Sequence, residues 1–217
     1  MSEEYLQLFR ETHALLDGHF LLRSGLHSRQ FFQCAILLQH TKIAERVCGG
    51  LAEKLRDIEC ESVISPALGG IIVGQEVGRA LGKRHIFAEK EEGKLVMRRG
   101  FQIAPGERFL VIEDVVTRGG RVQETIDIVR GLGGVVAAVG VIVDRSGGNR
   151  PDFGCPFVSL VELQCRNLRA GQSAARSCRD ESDQAGEQVG GNHSCKRAGS
   201  GKLPALFCFL SDGSGGP

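Results

Sequence analysis

Phe109-Leu110-Val111-Ile112-Glu113-Asp114-Val115-Val116-Thr117-Arg118-Gly119-Gly120 is the stretch from which the fold is read. Four apolar residues in succession describe a strand buried on both faces, which is how a strand inside a parallel sheet reads. Two adjacent carboxylates stand at its end, followed by a short loop with a hydroxyl and two glycines. A helix from Arg121 to Arg130 comes next, with Val122, Ile126 and Val129 on its inner side.

Working outward, the same alternation of strand and helix fills residues 1–164 and predicts an α/β fold, a mostly parallel sheet flanked by helices. Tyr5, Leu8, Phe9 and Leu16 suggest a first helix with one apolar side. Thr41 is expected to cap a second, in which Ile43, Val47, Leu51 and Leu55 recur every four residues. A strand at Val63–Ile64 leads through Ser65-Pro66-Ala67-Leu68-Gly69-Gly70 into a third helix bearing Ile71, Val77 and Leu81. Ile86–Phe87 and Leu95–Met97 read as strands, joined by a charged loop over 89–94 that could act as a lid. Val135–Val143 and Phe157–Leu163 complete the sheet.

Composition bounds the function. Hydrophobic residues make up 41% and charged residues 24%, enough to build a sizeable core. The 27 Lys and Arg against 26 Asp and Glu exert no global pull on nucleic acid or anionic membrane, so an anion site must be local. The opening MSEEYLQLFRETHALL has no basic and apolar leader pattern, and no run approaches the roughly 20 apolar residues of a membrane helix. A cytoplasmic enzyme is expected. Cys34, Cys48, Cys60 and Cys155 read as small buried hydrophobes; Cys165, Cys178, Cys195 and Cys208 lack the Cys-x-x-Cys spacing of a zinc site.

The segment after Ile112 has a mechanical reading. Gly119 and Gly120 let backbone N–H groups approach an anion, the helix N-terminus adds a favourable dipole, and Thr117 can donate a further bond. Glu113 and Asp114 would repel a phosphate but suit a diol, because ionised carboxylates only accept hydrogen bonds. Phosphate on the loop and diol on the acids describe a ribose 5-phosphate. The nucleotide motifs fit less well: Gly201-Lys202 is followed by Leu203, and Gly69, Gly70, Gly74 and Gly78 do not match the dinucleotide fingerprint.

These residues resemble a family. Glu113–Gly120 is similar to the phosphoribosyl pyrophosphate motif of type I phosphoribosyltransferases. Leu22-Arg23-Ser24-Gly25, Ser28-Arg29-Gln30-Phe31-Phe32, Ser65–Gly70, Arg98-Arg99-Gly100-Phe101 and Val143-Asp144-Arg145 resemble orotate phosphoribosyltransferases in particular. The resemblance implies a small hood over the sheet, a homodimer, Mg²⁺ held mainly through substrate, and a step of pyrimidine nucleotide synthesis that forms orotidine 5′-monophosphate. It implies that Glu113, Asp114, Val115, Val116, Thr117, Arg118, Gly119, Gly120 and Arg121 hold phosphoribosyl pyrophosphate with Lys90 and Arg23. It implies that Thr117, Arg145, Phe31 and Phe32 hold orotate, and that Asp114, Glu113 and Lys90 carry the catalysis. Three features depart from the pattern: Leu68 stands where a lysine is common, Glu89 stands where an arginine precedes the loop lysine, and Arg118 and Arg121 replace smaller residues. Lys94 is a further candidate cation in the shortened 89–94 loop.

Two alternatives share the fold: a phosphoribosyltransferase for another base, which would not need Arg145, and a regulatory protein that senses the same sugar phosphate. The second would call for a basic stripe or a DNA-binding motif, and the sequence has neither. From Cys165 the pattern dissolves into Gly, Ser and Arg, too polar to offset ordering entropy. Permitted codons for Cys165–Gln188 read one nucleotide later give Val-Glu-Thr-Tyr-Glu-Pro onward to a stop at the next codon. The 165–217 tail is therefore read as a low-order ending whose alternative frame would continue the strand, with 1–164 as the phosphoribosyltransferase domain.

Overall fold

The computed structural model describes residues 2–21 and 27–163, with side chains placed for 3–18 and 30–163. The chain divides into units Met1–Arg176 and Ser177–Pro217. The second unit lies outside the described residues, as does the whole 165–217 tail.

The order of elements is α1 (Ser2–Glu11), β1 (Leu15–Leu21), β2 (His27–Phe32), α2 (Cys34–Leu38), α3 (Thr41–Leu55), β3 (Ser62–Pro66), α4 (Gly69–Leu81), β4 (Arg84–Glu91), β5 (Lys94–Met97), β6 (Arg108–Val116), α5 (Gly120–Gly131), β7 (Val135–Asp144) and β8 (Phe157–Glu162). Six strands form one sheet in the order β5-β4-β3-β6-β7-β8, while β1 and β2 pair as a separate antiparallel hairpin. Only β5 runs antiparallel to its neighbour in the large sheet.

Side-chain alternation explains the two layers. Leu110 and Ile112 pack with Val63, Val47, Leu51, Leu55, Val73 and Val77, in a core that joins α3 and α4 to one face. Phe109 and Val111 pack with Ile64, Val122, Ile126 and Val129, in a core that fixes α5 to the other. Because both faces are covered, β6 can be apolar at consecutive positions.

Several expectations need correction. The first helix stops before Leu16: the Thr12 hydroxyl folds back onto the Leu8 carbonyl at 2.8 Å, and His13 turns to φ +58°, so Leu16 belongs to β1. Thr41 is the first residue of α3 and not its cap; His40 holds the cap position, with no side-chain capping bond. The 89–94 segment is a hairpin, in which Lys90 pairs with Leu95 and Glu91 with Lys94. β6 also runs beyond Ile112 to Val116, so both acids lie within the strand. Cys155 is half-buried, whereas Cys34, Cys48 and Cys60 are buried.

Order within the sheet positions the site. β3 leads through α4 to β4 on one side, whereas β6 leads through α5 to β7 on the other. The connections after β3 and β6 therefore diverge, opening a crevice at the carboxyl ends of two adjacent strands, where open α/β sheets bind ligands.

The opposite, amino-terminal end of the central strands is closed by a polar clamp. Glu107 accepts bonds from Ser62 Oγ at 2.5 Å, from the Ala104 N–H at 3.0 Å and from Arg84 Nη2 at 2.7 and 3.0 Å. Burial alone would raise the Glu107 carboxyl, but these donors outweigh it and hold the group below its ordinary range. Stability from a lowered carboxylate is present above the unfolded value and disappears as pH falls through the folded one. Glu107→Gln should cost about 1–2 kcal/mol at pH 7, and the deficit should shrink on acidification below the ordinary carboxylate range. Urea unfolding across pH tests this; a deficit that does not change with pH contradicts it.

Candidate active site

The crevice is built by two turns in close contact. A Cβ placed on Gly69 would stand 2.6 Å from Asp114 Oδ2, and one on Gly70 would stand 3.1 Å from Glu113 Oε1. Gly69 thus lets the turn after β3 lie directly against the acids of β6, where any side chain would push it away. The turn is also tied to β4, since the Ala67 N–H donates to the Ala88 carbonyl at 2.8 Å.

The acids are not equivalent. Glu113 is 2% exposed; its Oε1 takes the Asp114 N–H at 3.1 Å, and its Oε2 has no hydrogen-bond partner among the described residues. Burial, and then the neighbouring Asp114 carboxylate, push the Glu113 carboxyl well above its usual range. Asp114 is half-exposed, and its Oδ1 accepts the Val115 N–H at 2.8 Å. Both acids read alike in the sequence as hydrogen-bond acceptors, but burial opposes charge on Glu113.

After Val116 the chain turns through exposed Thr117 and Arg118 to Gly119, whose φ of +74° requires glycine, and enters α5 at Gly120. No side chain caps this helix, so its first N–H groups and positive end are available to an anion. Gly120 and Arg121 are exposed beside it. Pro151 and Phe153 brace the turn from behind, 2.8–3.0 Å from a Cβ on Gly119.

Arg145 joins the same crevice. Its N–H donates to the Val116 carbonyl at 2.8 Å, and its guanidinium carbon lies 5.9 Å from the centre of the Phe32 ring. Phe32 is itself a core residue, packed 4.8 Å from Phe9, so it supplies a floor rather than an exposed stacking face; Phe31 beside it is half-buried. Lys90 is exposed on β4 in the hairpin that leans on α5, where the Leu95 N–H meets Glu124 Oε2 at 3.3 Å. Lys94 is exposed at the start of β5, and Leu68 is 64% exposed on its turn. Arg23 lies outside the described residues.

Three supports went unread in the sequence. Buried Asp144 accepts the Ser146 N–H at 2.8 Å and pairs with Arg150 at 3.2 Å, folding back the loop that carries Arg145. Ser65 Oγ meets His85 Nε2 at 2.7 Å, and burial pulls the His85 ring down to about 4, which keeps it neutral. Cys34 Sγ approaches the Asp114 carbonyl at 4.0 Å. The acidic Asp144 beside Arg145 was the one visible signal; the other two depend on long-range packing.

No protein-family model matches the chain. An orotate phosphoribosyltransferase of Carboxydothermus hydrogenoformans is 52% identical over 159 residues, covering 72% of this chain and 83% of that protein. Among solved structures, an orotate phosphoribosyltransferase from Aeropyrum pernix matches with a TM-score of 0.60 at 25% identity, over 72% of this chain and 92% of that one. An adenine phosphoribosyltransferase from Rhodothermus marinus matches with a TM-score of 0.60 at 19% identity, over 74% of this chain and 99% of that one. A switch-point crevice lined by a glycine turn, an acid pair and an uncapped helix, on this sheet order, defines a type I phosphoribosyltransferase. Since the fold is shared by members that differ in their base, sequence identity decides the branch: the chain belongs to the orotate phosphoribosyltransferase family.

Among the described residues no helix is long and apolar enough to cross a membrane.

A carboxyl raised by burial costs stability when it ionises. The cost is absent below the unfolded pKa and grows as pH rises toward the folded one. Glu113→Gln should therefore raise the melting temperature, and by more at pH 8 than at pH 5. Equal shifts at both pH values would show that Glu113 carries no such penalty.

Proposed function

We propose that the chain transfers the ribose 5-phosphate group of phosphoribosyl pyrophosphate to a ring nitrogen of orotate, giving orotidine 5′-monophosphate and pyrophosphate. One observation carries the assignment. Arg145 is hydrogen-bonded through its backbone to the strand end that opens the phosphate turn, so a carboxylate partner and a phosphate cradle share one crevice.

The 5-phosphate rests on backbone N–H groups from Thr117 to Arg121, with the Arg118 and Arg121 side chains adding charge at the rim. Val115 and Val116 carry the backbone into the turn. The Asp114 side chain accepts from a ribose hydroxyl. The buried Glu113 lies beside it, and its unpartnered Oε2 would gain a partner. The Arg145 guanidinium presents two N–H groups to the orotate carboxylate above Phe32, while Thr117 and the backbone at Phe31 border the ring.

In the reaction a C1–N bond forms as the C1–O bond to pyrophosphate breaks, with positive charge growing on the sugar, the bonding pair leaving on the pyrophosphate oxygen and the proton of the attacking ring nitrogen passing to solvent. Asp114 favours that cationic sugar, and Lys90 favours the departing anion. No covalent intermediate is needed; positioning and fixed charge suffice. Arg23, by resemblance, belongs to the same anion side. The resemblance implies Mg²⁺ held mainly through substrate oxygens. Mg²⁺ bound in that way neutralises charge on the leaving group. A homodimer in the cytoplasm completes the reading.

Orotate, uracil, adenine and hypoxanthine offered together with phosphoribosyl pyrophosphate test the base. Orotate alone should be consumed, and EDTA should abolish its consumption; turnover of a purine instead would overturn the assignment. Asp114→Asn should lower kcat/KM about 10²- to 10³-fold without unfolding the protein. Arg145→Ala should raise the KM for orotate on the order of 30-fold or more, leaving phosphoribosyl pyrophosphate within about twofold. Equal losses for both substrates would remove Arg145 from the carboxylate.

A further inference from the structure

The mechanism above leaves Arg99, an exposed arginine, unused. Arg99 follows β5 and grips Glu89 with two nitrogens, Nη2 lying 3.1 Å from Oε2 and Nε bonding to Oε1. Its guanidinium carbon also stands 5.8 Å from the centre of the Phe87 ring. Glu89 directly follows Ala88, whose carbonyl takes the Ala67 N–H. The pair thus begins one residue from the turn whose Gly69 lies against Asp114.

The backbone argues that this arginine is there for its charge. Arg99 has φ +61° and Gly100 φ +71°, and the turn is closed by the Phe101 N–H on the Arg98 carbonyl at 3.2 Å. A turn with both central residues left-handed favours Asn, Asp or Gly, and a long L side chain is disfavoured in it. An exposed ion pair contributes little to stability. Neither the turn nor the pair accounts for arginine at this position, and unfavourable backbone that persists is a mark of functional sites.

Arg84 on Glu107 offers a contrast. That guanidinium also bonds the Gln102 carbonyl, and its carboxylate is only 12% exposed, so the pair is locked at the amino-terminal end of the strands. The Arg99 side chain is 62% exposed and has no third acceptor among the described residues. Its planar fork fits two phosphate oxygens as well as two carboxylate oxygens.

We propose that Arg99 is a pyrophosphate-side cation held ready on Glu89, exchanging that carboxylate for the polyanionic leaving group when substrate enters. This rests on the transferase reading given above. Arg99 would thereby place charge beside a turn in which Leu68 supplies none.

Arg99→Asn suits the left-handed turn and Glu89→Gln frees the guanidinium, so both variants of the full chain should fold. Three measurements separate the roles: melting temperature, KM for each substrate, and calorimetric affinity for magnesium pyrophosphate. Arg99→Asn should melt no lower than the parent, while its pyrophosphate affinity and its kcat/KM for phosphoribosyl pyrophosphate fall roughly tenfold and the KM for orotate holds. Glu89→Gln should tighten pyrophosphate about two- to fivefold, and the double variant should bind as weakly as Arg99→Asn. Unchanged pyrophosphate affinity in Arg99→Asn would overturn the proposal. So would parental affinity restored in the double variant, which would make Arg99 only the neutraliser of Glu89. A joint loss for both substrates with a lower melting temperature would make it structural. Calorimetry needs no base, so failed orotate turnover with normal pyrophosphate binding would strike the transferase reading alone.

Discussion

The contact on which this structure depends is the approach of the Gly69 backbone to the Asp114 carboxylate, too close for any side chain between them. It fastens the turn after β3 to the end of β6 across the point where the two connections part. A crevice at a switch point follows from sheet order alone, but its width does not. Here the width is set by a missing Cβ on one side and a strand-borne acid on the other. A site built from two turns needs them at a fixed separation, and close packing fixes it more firmly than loop length could.

The same constraint makes the acid pair costly. Glu113 is buried beside another carboxylate, and both desolvation and repulsion oppose its charge. Stability alone would place an apolar residue there, as at Val111 and Ile112 on the same strand. Local conflict of this kind is expected where a chain gives up stability for a site. The conflict also makes the two acids unequal: Asp114 is half-exposed, whereas burial opposes charge on Glu113 beneath it.

Much of this was legible before any coordinates. The run Phe109–Ile112 read as a doubly buried strand because helices cover both sheet faces, and Gly119 read as a turn glycine because its backbone is left-handed. What stayed hidden depends on partners distant in sequence. The β1–β2 hairpin is rich in charged and polar residues and lacks a clean alternation, so Leu16 was drawn into the preceding helical pattern. Charge and glycine made 89–94 look like a loop, yet pairing with Lys94–Met97 turns most of it into strand. The inequality of Glu113 and Asp114 arises from burial under α4's first turn, which adjacency in sequence cannot convey.

Charge in this fold is graded by how firmly it is held. Arg84 and Glu107 are joined by a serine hydroxyl and two backbone groups at the end of the strands remote from the crevice, so their ion pair acts as a structural clamp. Arg150 and Asp144 are intermediate: the acid is buried, the arginine covers the Phe157 ring at 4.3 Å, and together they hold the loop that aims Arg145. Arg99 and Glu89 are the most exposed of the three pairs and begin one residue from the glycine turn. A reaction that brings in a polyanion and releases one needs cations that can be recruited and then give it up. A locked pair could not move to meet the anion, and a free arginine would retain the product. An exposed pair whose carboxylate competes for the guanidinium would satisfy both demands if Arg99 takes the pyrophosphate-side role proposed for it.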